Sequence, residues 1–108
     1  MGKYMFEANY TVEGAKGIAK DGGTARRAAV EKAIASAGGR LESFYFAFGG
    51  RDAFVIAEFP DNVSAAAMAL AVNESGAAST STVVLLTPDE VDAACKKAKS
   101  VTYRPPGK

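Results

Sequence analysis

Residues 53–59 read Ala-Phe-Val-Ile-Ala-Glu-Phe. In an extended chain they set Ala53, Val55, Ala57 and Phe59 on one face and Phe54 and Ile56 on the other. A strand that is apolar on both faces needs cover on both. The rest of the chain has to supply one cover, and something further has to supply the other. This requirement narrows the available folds more than any other feature of the sequence.

A first strand is expected over Lys3–Thr11. There Tyr4, Phe6, Ala8 and Tyr10 alternate with Lys3, Met5, Glu7 and Asn9. Glu13-Gly14, Gly17 and Asp21-Gly22-Gly23 read as a glycine-rich loop, and Thr24 as the N-cap of a helix. Val30, Ala33, Ile34 and Ala37 recur at helical spacing, and Gly38-Gly39 end that helix. Alternation returns over Arg40–Phe48, with Phe44, Phe46 and Phe48 opposite Ser43, Tyr45 and Ala47. Gly49-Gly50 reads as a tight turn, which makes residues 40–59 a hairpin. Pro60-Asp61-Asn62 stop the hairpin and cap a second helix. That helix is expected to turn Val63, Ala66, Ala67, Leu70 and Ala71 inward and to end at Gly76. A fourth strand follows over Ala78–Leu86, with Thr80 and Thr82 as cross-strand packing pairs. Thr87-Pro88-Asp89-Glu90 joins a capping box to a proline at the first helical position, the clearest local signal in the chain. The third helix it starts carries Val91, Ala94, Cys95 and Ala98 on one stripe, with Cys95 a buried small hydrophobe. The tail, Tyr103-Arg104-Pro105-Pro106-Gly107-Lys108, is expected to be extended.

Strand-helix-strand, twice over, is the split plan of a ferredoxin-like α+β fold. The expected architecture is a βαββαβ antiparallel sheet with helices on one face, plus a C-terminal helix. At 108 residues the chain is one domain, 1–108, with a core over 3–98 and an extended tail over 99–108. Helices cover only one side of such a sheet, so the second apolar face of residues 53–59 needs a partner. A second copy meeting it through a twofold axis predicts a homodimer or higher oligomer. The competing cover is the third helix with the tail folded over that face.

The chain has no histidine and one cysteine. That excludes a His-ligated zinc, a histidine general base, a proximal-histidine haem, an internal disulfide and a cysteine-rich cluster. No metal and no cofactor is expected. A net charge of +1 argues against nucleic acid as a partner. No run of 18 apolar residues exists, and residues 1–6 lack the apolar core of a signal peptide. Phe6 stands where N-myristoylation wants Ser or Thr. A cytoplasmic protein with no membrane partner is the expectation.

Several residues carry chemistry on either of two readings. Glu7 and Asn9 share a strand face. Pointed into a cavity they suit binding or proton abstraction, since desolvation raises a carboxyl pKa; at an exposed edge Glu7 pairs with Lys3 or an arginine. Asp52 serves as an acid or base at a cavity mouth, with Arg51 binding an anion, or it hydrogen-bonds turn amides. Arg26-Arg27 sit in a helix's first turns, against its dipole. They hold a carboxylate, a phosphate or Asp21, or they are simply solvated. Tyr10 and Tyr45 donate to a ligand oxygen or pack in the core.

Tyr10-Thr11 with Glu13-Gly14, Arg27-Ala28, Gly38-Gly39, Gly50 with Asp52, Glu58-Phe59-Pro60-Asp61, Gly76 with Thr80 and Thr82, and Glu90 after Thr87 follow one another in an order that resembles the GYD family. The resemblance covers about residues 4–92. It implies a ferredoxin-like protomer of a dimeric α/β barrel and implies no reaction. Two positions depart from the family pattern: Arg51 replaces the tyrosine of Gly-Tyr-Asp, and Ser79 stands where an arginine is usual.

The function expected is a homo-oligomer that binds a small organic molecule in a barrel or interface cavity. Glu7, Asn9, Tyr10, Arg27, Tyr45, Arg51 and Asp52 are the candidate ligand-binding residues. One alternative is a cofactor-independent isomerase or monooxygenase working through Glu7, Asn9, Tyr45 and Asp52. Another is an assembly protein whose proline-rich tail docks on a partner.

Overall fold

A computed structural model describes residues 1–108 as β1 (Gly2–Tyr10), α1 (Val12–Asp21), α2 (Gly23–Ser36), β2 (Arg40–Phe46), β3 (Ala53–Phe59), α3 (Asn62–Glu74), β4 (Ala78–Leu85) and α4 (Pro88–Ala98). All strands pair antiparallel in the order β2-β3-β1-β4. This is the ferredoxin-like α+β plan, with α1 added. No helix is long and apolar enough to cross a membrane.

Directly paired residues share a face of the sheet. Tyr4 lies beside Ala57 and Val84, and Phe6 beside Val55 and Thr82. This face carries the helices. Its core joins Tyr4, Phe6, Val55, Ala57 and Phe59 to Val30 and Ile34 of α2 and to Ala65 and Met68 of α3. Phe59 is fully buried and takes the edges of the Tyr4 and Phe6 rings, with centroids 6.0 and 5.9 Å away. The α2 C-terminus reaches this ring through a Schellman turn. Gly38, at φ +84°, donates to Ala35, and Gly39 donates back to Ile34. A Cβ on Gly39 would lie 2.7 Å from the Phe59 ring.

The segment read as a glycine-rich loop is instead helix α1. Thr11 caps it by accepting from the Gly14 N–H. Gly14 is there for close approach: a Cβ would collide with the carbonyl oxygen of Ala77. The same carbonyl accepts the Thr11 N–H at 3.0 Å. Gly22, at φ +88°, separates α1 from α2 and is the N-cap of α2, so Thr24 lies inside the helix rather than capping it. The link between β2 and β3 is not a two-residue turn. It runs from Ala47 to Asp52, closed by the Ala47 N–H donating to the Asp52 carbonyl, and leaves Phe48 beyond the strand and wholly exposed. Asp61 caps α3 as expected. The inward face of α3 is Ala65, Met68, Ala69 and Val72, while Val63 and Leu70 are exposed.

The opposite face of the sheet has no helix on it. Met5, Phe54, Ile56, Val83 and Leu85 form its apolar centre beside an exposed Tyr45. At one end a bulge in β2 at Glu42 brings a second carboxylate toward Lys3. The Lys3 ammonium bonds Glu42 at 2.9 Å and Glu58 at 3.2 Å, and Arg40 also pairs with Glu58. Residues 88–108 do not cover this face: every one of them is exposed, Cys95 included. Cys95 sits on the stripe expected of it, but nothing in the chain packs against that stripe.

Two outcomes follow from these contacts. Gly14→Ala should lower the free energy of unfolding by at least ~2 kcal/mol, because backbone rather than a movable side chain blocks the new methyl; urea denaturation measures it. The Arg40 and Lys3 hydrogen bonds hold the Glu58 carboxyl below its ordinary range. A carboxyl depressed in the folded state adds stability above its unfolded pKa and loses it as pH falls through the folded value. Wild type should therefore exceed Glu58→Gln in stability at neutral pH, and the gap should close as pH falls below about 4. Thermal melts across that range check the convergence.

Candidate functional site

The structure divides the expected site residues among three places. Glu7, Asn9, Tyr45 and Arg51 belong to the open sheet face. Arg51 leaves the β2–β3 link to bring its Nε within 3.9 Å of a Glu7 carboxylate oxygen, and it donates to the Ser81 hydroxyl at 3.2 Å. This ties β3's entry to β1 and β4 at the end of the sheet away from Lys3. Arg27 points to solvent and pairs with Glu31 one turn along α2, at 3.5 Å. It is not part of any cavity. The Asp52 carboxylate bonds no amide of the turn and instead ties the β2–β3 link to β1. It accepts the Tyr10 N–H at 2.9 Å, and the Asp52 N–H donates to the Ala8 carbonyl at 2.9 Å.

Tyr10, held this way at the end of β1, is the one expected residue that lines the cleft between α1 and α2; with Asp52 it also lines a larger, more open hollow beside Phe46 and Phe48. The residue beside it in the cleft is Arg26, whose guanidinium carbon lies 5.8 Å from the Tyr10 ring centroid. Helical phase separates the two arginines. Arg26 stands four residues before Val30 and eight before Ile34, both buried, whereas Arg27 is one step off that stripe. The i, i+4 spacing was the available signal, and it selects Arg26 over Arg27.

Between α1, α2 and the start of β4 lies a cavity of about 210 Å³. Tyr10, Ile18, Ala25, Ala29 and Ala77 give it apolar walls, and Glu13, Asp21 and Arg26 add charge. A smaller apolar chamber of about 40 Å³ adjoins it, with Tyr10 and Arg26 in the wall of both. The Arg26 Nε is shielded from solvent and meets no acceptor. A charged donor in that state costs about 1–3 kcal/mol or more. Chemically, the cleft offers a fork of N–H donors, an aromatic wall and two carboxylates. No three metal-ligating side chains converge anywhere in the chain.

Asp52→Ala should strip the Tyr10 amide of its acceptor and cost about 1–3 kcal/mol, the range for a hydrogen bond to a charged group. Faster exchange of the Tyr10 amide proton, measured by NMR, would locate the loss at the mouth of the cleft.

The GYD domain family model matches residues 4–95, from β1 into α4, and the chain belongs to that family. No curated protein matches it.

Proposed function

We propose that this GYD-domain protein is a homodimer that binds a small organic acid in the cleft between α1 and α2, with Arg26 as the anchor. The observation that carries the reading is Arg26 itself, a guanidinium in the wall of an open cavity with no hydrogen-bond or salt-bridge partner for its buried Nε. A ligand carboxylate meets a guanidinium through two parallel hydrogen bonds, the strongest pairing such a fork makes. The cavity volume, about 210 Å³, is below the ~300–1,000 Å³ typical for drug-sized ligands. A single ring with one carboxylate suits it. Tyr10, Ile18 and the alanines would pack the ring. Glu13 and Asp21 disfavour a second negative charge and would accept from a hydroxyl at the ligand's far end.

The dimer accounts for the apolar, helix-free face of the sheet, which a second copy would cover. The residues suited to cofactor-free catalysis do not share a cavity. Glu7, Asn9 and Tyr45 belong to the open face, and Asp52 is engaged with the Tyr10 amide. Binding is thus the reading with a site behind it.

4-Hydroxybenzoate carries the single ring, single carboxylate and far-end hydroxyl that the lining of the cleft calls for. Titrating it into the ¹⁵N-labelled protein should move the Ala25, Ala29 and Ala77 amides, and Arg26→Gln should weaken binding at least about tenfold, or 1.4 kcal/mol. If millimolar 4-hydroxybenzoate and its simple benzoate relatives leave those amides unmoved, the reading is wrong.

A further inference from the structure

We infer that residues 88–108 form an exchanged arm: α4 and the tail of each protomer lie along the second copy and complete an interface that the open sheet faces alone leave too small. The inference rests on the homodimer proposed above.

The first argument is that α4 is built to be a helix and has nothing to lie on. Thr87 and Glu90 form a reciprocal capping box, Pro88 opens the first turn, Asp89 and Glu90 sit at the N-terminal end, and Lys96 and Lys97 at the C-terminal end. Each feature favours the helix locally. An isolated helix of 11 residues is nonetheless marginal in water, and most helices gain their stability by packing an apolar face. The apolar face exists here in Val91, Ala94, Cys95 and Ala98, and Val101 and Tyr103 continue it into the tail. All of them are exposed.

The second argument is shape. Leu86 and Thr87 join β4 to α4 through a link as short as the one before α3, yet α3 packs on the sheet and α4 does not. The radius of gyration is 17.1 Å, against about 13 Å for a compact domain of this length. One dimension reaches 56 Å where the others are 32 and 22 Å. The arm stands away from the body it belongs to.

The third argument is area. Four strands about 4.8 Å apart, each about seven residues long at ~3.3 Å per residue, present a face of roughly 440 Å². A standard interface covers about 800 Å² on each partner. The helix with the turns that continue it to Val101 is about 21 Å long and 10 Å wide, and the extended run 102–105 adds about 13 Å before Lys108 turns back onto Pro105. As a strip of the same width, the arm contributes somewhat less area than the sheet face, and the two together come close to the standard size. Both uncovered surfaces belong to one chain. A twofold pairing satisfies both at once, each arm reciprocating the other.

The test uses the full chain. Sedimentation equilibrium gives the dimer constant for wild type and for Val91→Asp, a substitution on an exposed helical position that leaves the core untouched. Cys95, the sole cysteine, reports the arm directly through its rate of reaction with a disulfide reagent. The expected results are a wild-type dimer, at least tenfold weaker association for Val91→Asp, and Cys95 at least tenfold slower to react in the dimer than after dilution to monomer. A wild-type dimer with Cys95 reacting at the free-thiol rate, and with Val91→Asp associating equally well, overturns the arm and leaves the homodimer standing. A wild-type chain that stays monomeric at high concentration overturns both.

Discussion

Phe59 has no exposed surface, and two parts of the chain are shaped to its ring. Tyr4 and Phe6 bring β1 against it edge-on. Gly39 brings the end of α2 flush with it, where any side chain would collide. Just beyond Phe59, Asp61 and Asn62 begin α3, and Asn62 accepts the Tyr4 hydroxyl. Strand and helix end are thereby set around one aromatic residue. The close packing of protein interiors makes such an arrangement stiff, since each neighbour has few alternative positions. The placement of α2 follows from it, and with α2 the placement of Arg26.

The molecule uses its two sheet faces differently. One face is filled by helices and leaves a small cleft at its end, where β1 finishes and α1 turns away. The cleft lies between α1 and α2, with α1 anchored at its start by the Thr11–Gly14 turn against the Ala77 carbonyl and joined at its end to α2 through Gly22. The other face keeps its charges at two ends, Lys3 with Glu42 and Glu58 at one and Arg51 with Glu7 at the other, around an apolar centre. Paired charges at the margin of an apolar patch are cheaper to bring against a partner than unpaired ones.

Strand alternation made the sheet legible. The period-two pattern in residues 3–10 and the doubly apolar run 53–59 place nearly every side chain on the face it occupies. The helices were harder to read. Gly14 and Gly17 look like breakers, but Gly14 answers to the proximity of Ala77, a contact some 60 residues away along the chain that no local pattern registers. In α3 the run Val63 to Val72 is apolar all round, so Val63, Ala66 and Leu70 fit an inward stripe as well as Ala65, Met68 and Val72 do. Periodicity without a polar face carries no phase. For the site, Tyr10 was legible and Arg26 was visible only as half of a pair, resolved toward Arg27 for want of using the spacing to Val30 and Ile34. Asp52 read locally as a residue for turn amides, but its carboxylate accepts from Tyr10 of β1, a partner distant in sequence that no local pattern registers.

The central position of β1 has a consequence for how the protein comes into being. Its first strand pairs with β3 and β4, and Tyr10 meets Ala78. On a ribosome adding about 5–20 residues per second, β1 waits several seconds for β4 to be made. During that interval its apolar face has no complete sheet to join. β4 completes the pairing of β1, although the central core residues all lie between Tyr4 and Met68. Long-range closure of this kind is slow compared with local helix formation. Between the making of β3 and that of β4, β1 therefore has a partner on one edge only.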